Sequence, residues 1–146
     1  MMINSAFAHT WVSEKLSHRV GESTFNVPGT NNGKLACVWV INTAIEEVYG
    51  KPITTGKAGL DVKETLLVIQ AEPERYQPVT QEEALSSGQD YIIVTKTGMT
   101  PGHGSHIGIG NKDIIYENDS YIKQIITGNT YTWMYYYKAA SYYLIK

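Results

Sequence analysis

The chain of 146 residues holds one cysteine, two phenylalanines and five prolines. A single cysteine closes no internal disulfide, so packing has to stabilise the fold and the redox compartment is left open. Lysine and arginine number 12 against 14 aspartates and glutamates, for a formal charge of -2 and a pI of about 6.1, and neither sign gathers into a run. Nucleic-acid binding and attraction to anionic membranes therefore have no electrostatic source. No stretch approaches the roughly 20 apolar residues of a membrane-spanning helix. The start, MMINSAFAHTWVSEKL, lacks a basic segment followed by a long apolar one. The sequence reads as a soluble chain with no visible signal peptide, no membrane insertion, no repeat and no linker.

What is present is 42% hydrophobic content and 11 tyrosines, enough for one core in a chain too short for two ordinary domains. Residues 1–146 read as a single domain. Asn4 or Ser5 can cap a first helix along which Phe7, Trp11, Val12 and Leu16 recur at helical spacing, ending near Gly21. After the turn-rich NVPGTNNG, with Asn31 or Asn32 as cap, a second helix is expected from near Lys34 to Gly50, where Pro52 blocks extension. GKAGLDVKETLLVIQ permits a third. EPERYQPVTQEEALSSGQD reads as a surface connection with a short strand at Tyr76–Val79 and one helical turn. From Tyr91 the pattern becomes short strand-like runs, YIIVT, HIGIG, IIYEN, YIKQIIT and SYYLIK, divided by Gly, Asn, Asp and Pro. Helices followed by an antiparallel meander make an α+β domain in which the second helix packs on the C-terminal sheet.

The lone thiol, Cys37, falls in the first turn of that second helix, on the face shared by Val40, Ile41, Ala44 and Val48. A free cysteine in such a place is either a small buried hydrophobe or a nucleophile. A helix N-terminus favours negative charge on sulfur. Nucleophilic use also needs an imidazole to take and return a proton, and a third polar group to fix the ring. In SHIGIGNKDIIYEND, a GNKD turn centred on Lys112 sets His106 opposite Asn118, Gly108 opposite Tyr116 and Gly110 opposite Ile114. Cys37, His106 and Asn118 then fill the three roles. A one-residue bulge beside the turn would put Glu117 or Asp119 on the histidine's face instead. For an oxyanion, the Cys37 N–H is the expected first donor and the side amide of Asn31 or Asn32 the second.

Other features are weaker. His103 suggests a metal site with His106 and Cys37, but no further Cys or nearby His completes a tetrahedral set, so no metal is expected. GKPITTGKAG lacks the spacing of a Walker motif. The aromatic segment YTWMYYYKAASYYLIK should bury some rings and expose others; Trp133, together with His103, is a candidate to line a substrate cleft.

LACVWVIN, with a cysteine opening a helix, then GHGSHIGIG, with a histidine beginning a strand, then a polar residue at Asn118, resemble the NlpC-like and CHAP-like superfamily of papain-fold cysteine peptidases and amidases. The ordered motifs cover residues 32–118, although SSGQD stands where many relatives carry Pro-Gly-Asp. The resemblance implies a papain-like fold and thiol-dependent cleavage of amide bonds in bacterial peptidoglycan, at the stem peptide or between stem and glycan. It implies no metal or organic cofactor. By position Cys37 would be the nucleophile, His106 the general base and acid, and Asn118 the orienting residue. Without a signal, such a domain would reach the periplasm or cell wall as an injected effector or phage endolysin, or else act in the cytoplasm. An effector would also meet an immunity or inhibitor protein. Two alternatives stay open: a toxin peptidase or deamidase acting on proteins, and a non-catalytic glycan- or partner-binding protein on the same scaffold.

Overall fold

In the computed structural model, which describes residues 11–56, 60–96 and 104–146, the chain runs α1 (Val12–Ser17), α2 (Cys37–Tyr49), α3 (Val62–Ala71), β1 (Tyr76–Val79), α4 (Gln81–Ser86), β2 (Asp90–Thr95), β3 (His106–Asn111), β4 (Ile114–Asp119), β5 (Gln124–Gly128), α5 (Thr130–Tyr136) and β6 (Ser141–Ile145). This is the expected α+β order. Asn4, Ser5 and Phe7, read as the start of the first helix, lie outside the described residues.

Helix α2 starts at Cys37, three residues later than the sequence suggests, and the backbone before it shows why. Asn31, Asn32 and Gly33 are all left-handed, with φ of 51°, 56° and 87°, a conformation that cannot continue into a right-handed helix. Asn31 and Asn32 therefore do not cap α2; its N-cap is Ala36, whose side chain makes no capping bond. At Gly33 a Cβ would stand 3.0 Å from the Thr24 carbonyl oxygen, so both the positive φ and the close approach call for glycine. From Cys37 onward the apolar spacing holds. Val38, Val40, Ile41, Ala44 and Ile45 are buried, and Gly50 ends the helix with its N–H donating to the Glu46 carbonyl.

The sheet order is β1-β6-β2-β3-β4-β5, and every pairing is antiparallel. The expected meander holds from β2 to β5. β6 departs from it by crossing back between β2 and β1, which makes the short Tyr76–Val79 segment an edge strand of the main sheet. Alternation sorts the side chains into two cores. Ile92, Val94, Ile107, Ile109, Tyr143 and Ile145 pack with α1, α2 and α3; Tyr91, Ile93, Ile115, Tyr142 and Leu144 pack with Ala84 of α4 and Trp133 of α5. With helices on both faces, β2 is buried along its whole length, which is why YIIVT reads as a continuous apolar run. Gly110 faces the second core, where a Cβ would come within 2.2 Å of the Tyr91 ring. Only glycine lets that ring cross β3 to donate its hydroxyl to the Lys112 carbonyl at 2.6 Å.

Helix α1 is held from a distance. Its N-cap, Trp11, makes no side-chain cap. Instead the buried Asp90 carboxylate at the start of β2 accepts the Val12 and Ser13 N–H groups at 2.6 and 3.3 Å, the Ser13 hydroxyl, and the Asn111 amide at 3.2 Å. Asp90→Ala would strand these donors in a buried site. We expect a loss of about 2–4 kcal/mol, read as a lower urea midpoint at unchanged m-value.

Candidate active site

Cys37 is the first residue of α2, partly buried against the larger core. His106 opens β3 and is only 6% exposed. Its ring is held by a carboxylate and by an aromatic cluster. Nε2 lies 2.9 Å from Glu117 Oε1, and the ring packs with Trp133, centroids 5.0 Å apart, and Tyr137, at 4.8 Å, which also touch each other at 5.0 Å. With Nε2 engaged, Nδ1 is left for the Cys37 sulfur, which lines the same cleft and acts on the charge of the ring. Burial works against a charge on this ring, but the hydrogen bonds to Cys37 and Glu117 and the negative charge of both groups outweigh it. The His106 pKa rises from 6.5 to about 10.

The third member of the cluster is Glu117, not Asn118. The hairpin pairs Asn111 with Ile114, Gly110 with Ile115 and Ile109 with Tyr116, so Lys112 and Asp113 alone form the turn. Lys112 supplies the positive φ, 53°, that glycine or asparagine usually supplies in such turns. Relative to a turn centred on Lys112 the register shifts by one residue, and that shift exchanges the two faces of β4. Glu117 joins Ile115 on the face of His106. No bulge is required.

Asn118 goes to the opposite face and is 1% exposed. Its Oδ1 accepts the Thr24 hydroxyl at 2.6 Å and its Nδ2 donates to the Gly33 carbonyl at 2.9 Å. It thereby ties down the loop that delivers Cys37. That loop is fixed again by Thr30, whose hydroxyl accepts from Gly33 N–H at 3.1 Å and whose carbonyl accepts from Leu35 N–H at 2.8 Å. Asn118→Ala should therefore leave the titration of the His106 ring in place, lower stability by about 1–3 kcal/mol, and reduce turnover by roughly tenfold through misplacement of the sulfur. Ring NMR and steady-state kinetics separate these effects.

The remaining candidates fare differently. Asn31 and Asn32 are exposed and line no part of the cleft that holds Cys37, so they are not its oxyanion donors; their left-handed turn carries them away. Trp133 is 1% exposed, with its Nε1 donating to Thr95 Oγ1 at 3.1 Å. It backs the imidazole, and it lines the cavity beside Glu117 rather than the Cys37 cleft. His103 lies outside the described residues. Trp133, in the middle of α5, and Tyr137, its C-cap, stand four positions apart, a helical spacing that marks them as one face. Reading that segment as helix would have pointed to both.

Cys37 and His106 share a cleft of about 550 Å³, walled by Leu35, Leu60, Val62 and Tyr137, with Lys34 and Lys63 also on its lining. The described residues thus define an α+β domain with a cysteine–histidine–glutamate cluster on the wall of an open cleft. Compared by sequence, the chain matches no protein-family model and no curated protein. Among the described residues no helix is long and apolar enough to cross a membrane.

Proposed function

We propose that the protein is a thiol-dependent amide hydrolase of the papain-like, NlpC- or CHAP-type fold, acting on bacterial peptidoglycan. The observation that carries this reading is the His106 imidazole held by the Glu117 carboxylate at 2.9 Å while it shares a cleft with the Cys37 sulfur and feels its charge. A structural cysteine needs no such partner. In the proposed reaction the sulfur attacks an amide carbonyl, and the imidazolium gives its proton to the departing amine, leaving a thioester. His106 then takes a proton from water, which attacks the thioester and releases the carboxylate product. Glu117 keeps the ring oriented and balances its charge, and the Cys37 N–H at the start of α2 faces the developing oxyanion.

Digestion of purified peptidoglycan, followed by mass spectrometry of the soluble fragments, tests the reading. New amines on the stem peptide identify the bond cut. Intact polymer after prolonged incubation with folded, reduced protein would overturn the choice of substrate.

A further inference from the structure

We propose that the cavity lined by Glu117 and Asp119, next to the Cys37 cleft, is a second subsite, which takes a cationic group, namely a primary amine carried by the substrate. The inference rests on the hydrolase reading for the word substrate, and on geometry for the site. The cavity measures about 480 Å³ and shares Asn118, Ser120 and Tyr137 with the lining of the Cys37 cleft, so the two spaces adjoin. Glu117 serves both. Its Oε1 holds His106, while Oε2 is turned toward Gly128, 3.4 Å from where a Cβ on that glycine would stand, and Gly128 is a wall of the second cavity.

The charged side chains that line the cavity are carboxylates, and since Glu117 is paired with the His106 ring, Asp119 is the one left to meet a cation. Glu117 and Asp119 line it together with the rings of Tyr121 and Tyr136, and among the described residues its lining includes no lysine or arginine. The Cys37 cleft, by contrast, has Lys34 and Lys63 against the single carboxylate of Asp61. Carboxylates beside aromatic faces favour an ammonium group over an anion or a neutral alcohol. Tyr137, between the two spaces, registers the same field. Burial first, and then the negative charges of Glu117, Cys37 and Asp119, push its hydroxyl pKa upward. A substrate lying across Tyr137 would thus present a carboxylate toward the lysines and an amine toward Asp119.

The test uses the full chain carrying Cys37→Ala, so that nothing turns over, with 1,5-diaminopentane as probe, 1,5-pentanediol as its neutral counterpart and N-acetylglucosamine as a sugar control. Backbone amide NMR of Ser120, Thr127 and Gly128 should show saturable shifts with the diamine and none with the diol. Asp119→Asn should weaken diamine binding about tenfold or more through loss of one charge-assisted contact. It keeps the Oδ1 that accepts the Tyr121 and Ile122 N–H groups, so the turn should persist. Tyr121→Ala, at a residue that is 89% exposed, gives a second variant that removes no core contact and should also weaken binding. Silence toward the diamine, equal shifts with the diol, shifts with the sugar alone, or unchanged affinity in Asp119→Asn would overturn the subsite. Peptidoglycan digestion by the wild-type chain decides the hydrolase reading separately, since the binding measurement needs no catalysis.

Discussion

Replacement of Cys37 by alanine is expected to lower amide hydrolysis by about 10⁴-fold or more while the protein stays folded, because the proposed route has no other nucleophile and its residual rate falls toward that of unassisted water. The substitution is mild for the fold. Cys37 is partly exposed at the helix start, and alanine is a good residue in a first turn. Serine at the same position keeps the shape and should be nearly as inactive. Circular dichroism and the urea midpoint would establish that the loss is chemical; parallel kinetics on a synthetic stem peptide measure its size. Activity within tenfold of wild type in Cys37→Ala would remove the thiol from the mechanism.

Glu117→Gln carries the second large effect. Glutamine keeps an oxygen near His106 Nε2 but loses the charge, and the imidazolium then sits buried with one anionic partner fewer. Turnover should fall by about 10²–10⁴-fold, the range seen when the orienting carboxylate of a catalytic histidine is neutralised. The pH dependence gives an independent sign. The folded-state His106 pKa lies above the ordinary 6.5, near 10, so the folded protein holds a proton that the unfolded chain releases over that interval. The stabilisation from the pair is complete below pH 6.5 and is lost as pH rises through about 10. In Glu117→Gln the ring pKa falls, the alkaline limb of kcat/KM moves to lower pH, and stability declines earlier on the way up. Urea midpoints at pH 6 and pH 9, compared between wild type and variant, check the last point. A ring titration unchanged by the substitution would contradict it.

Much of this site was legible in the chain. Cys37 could be placed in the first turn of a helix because the apolar spacing of Val40, Ile41, Ala44 and Val48 and the Gly50–Pro52 stop define that helix from within. His106 could be placed at the start of a strand because HIGIG alternates. What local pattern could not supply was register. NKD carries none of the glycine that normally announces a two-residue turn, and Lys112 takes the positive φ in its place. An error of one residue there exchanges Glu117 for Asn118, so the carboxylate was visible only as a consequence of a bulge that does not exist. The Asp90 cap of α1 and the return of β6 between β1 and β2 depend on contacts across most of the chain. No local window carries them. The aromatic run was legible as composition, but its division into an α5 that backs His106 and a β6 that fills the sheet needs the capping box of Asn129 and Thr132 to be recognised as a helix start.

The claim on which the rest depends is that the Cys37 sulfur is activated by its contact with the His106 ring. Alkylation of the native, reduced protein by iodoacetamide at pH 6.5, followed by intact mass, measures this directly. Cys37 should react faster than a free thiol under the same conditions, and His106→Ala should slow it to the free-thiol rate or below. A sulfur that reacts no faster than free cysteine in the folded wild-type protein, or at a rate indifferent to His106, would contradict the account.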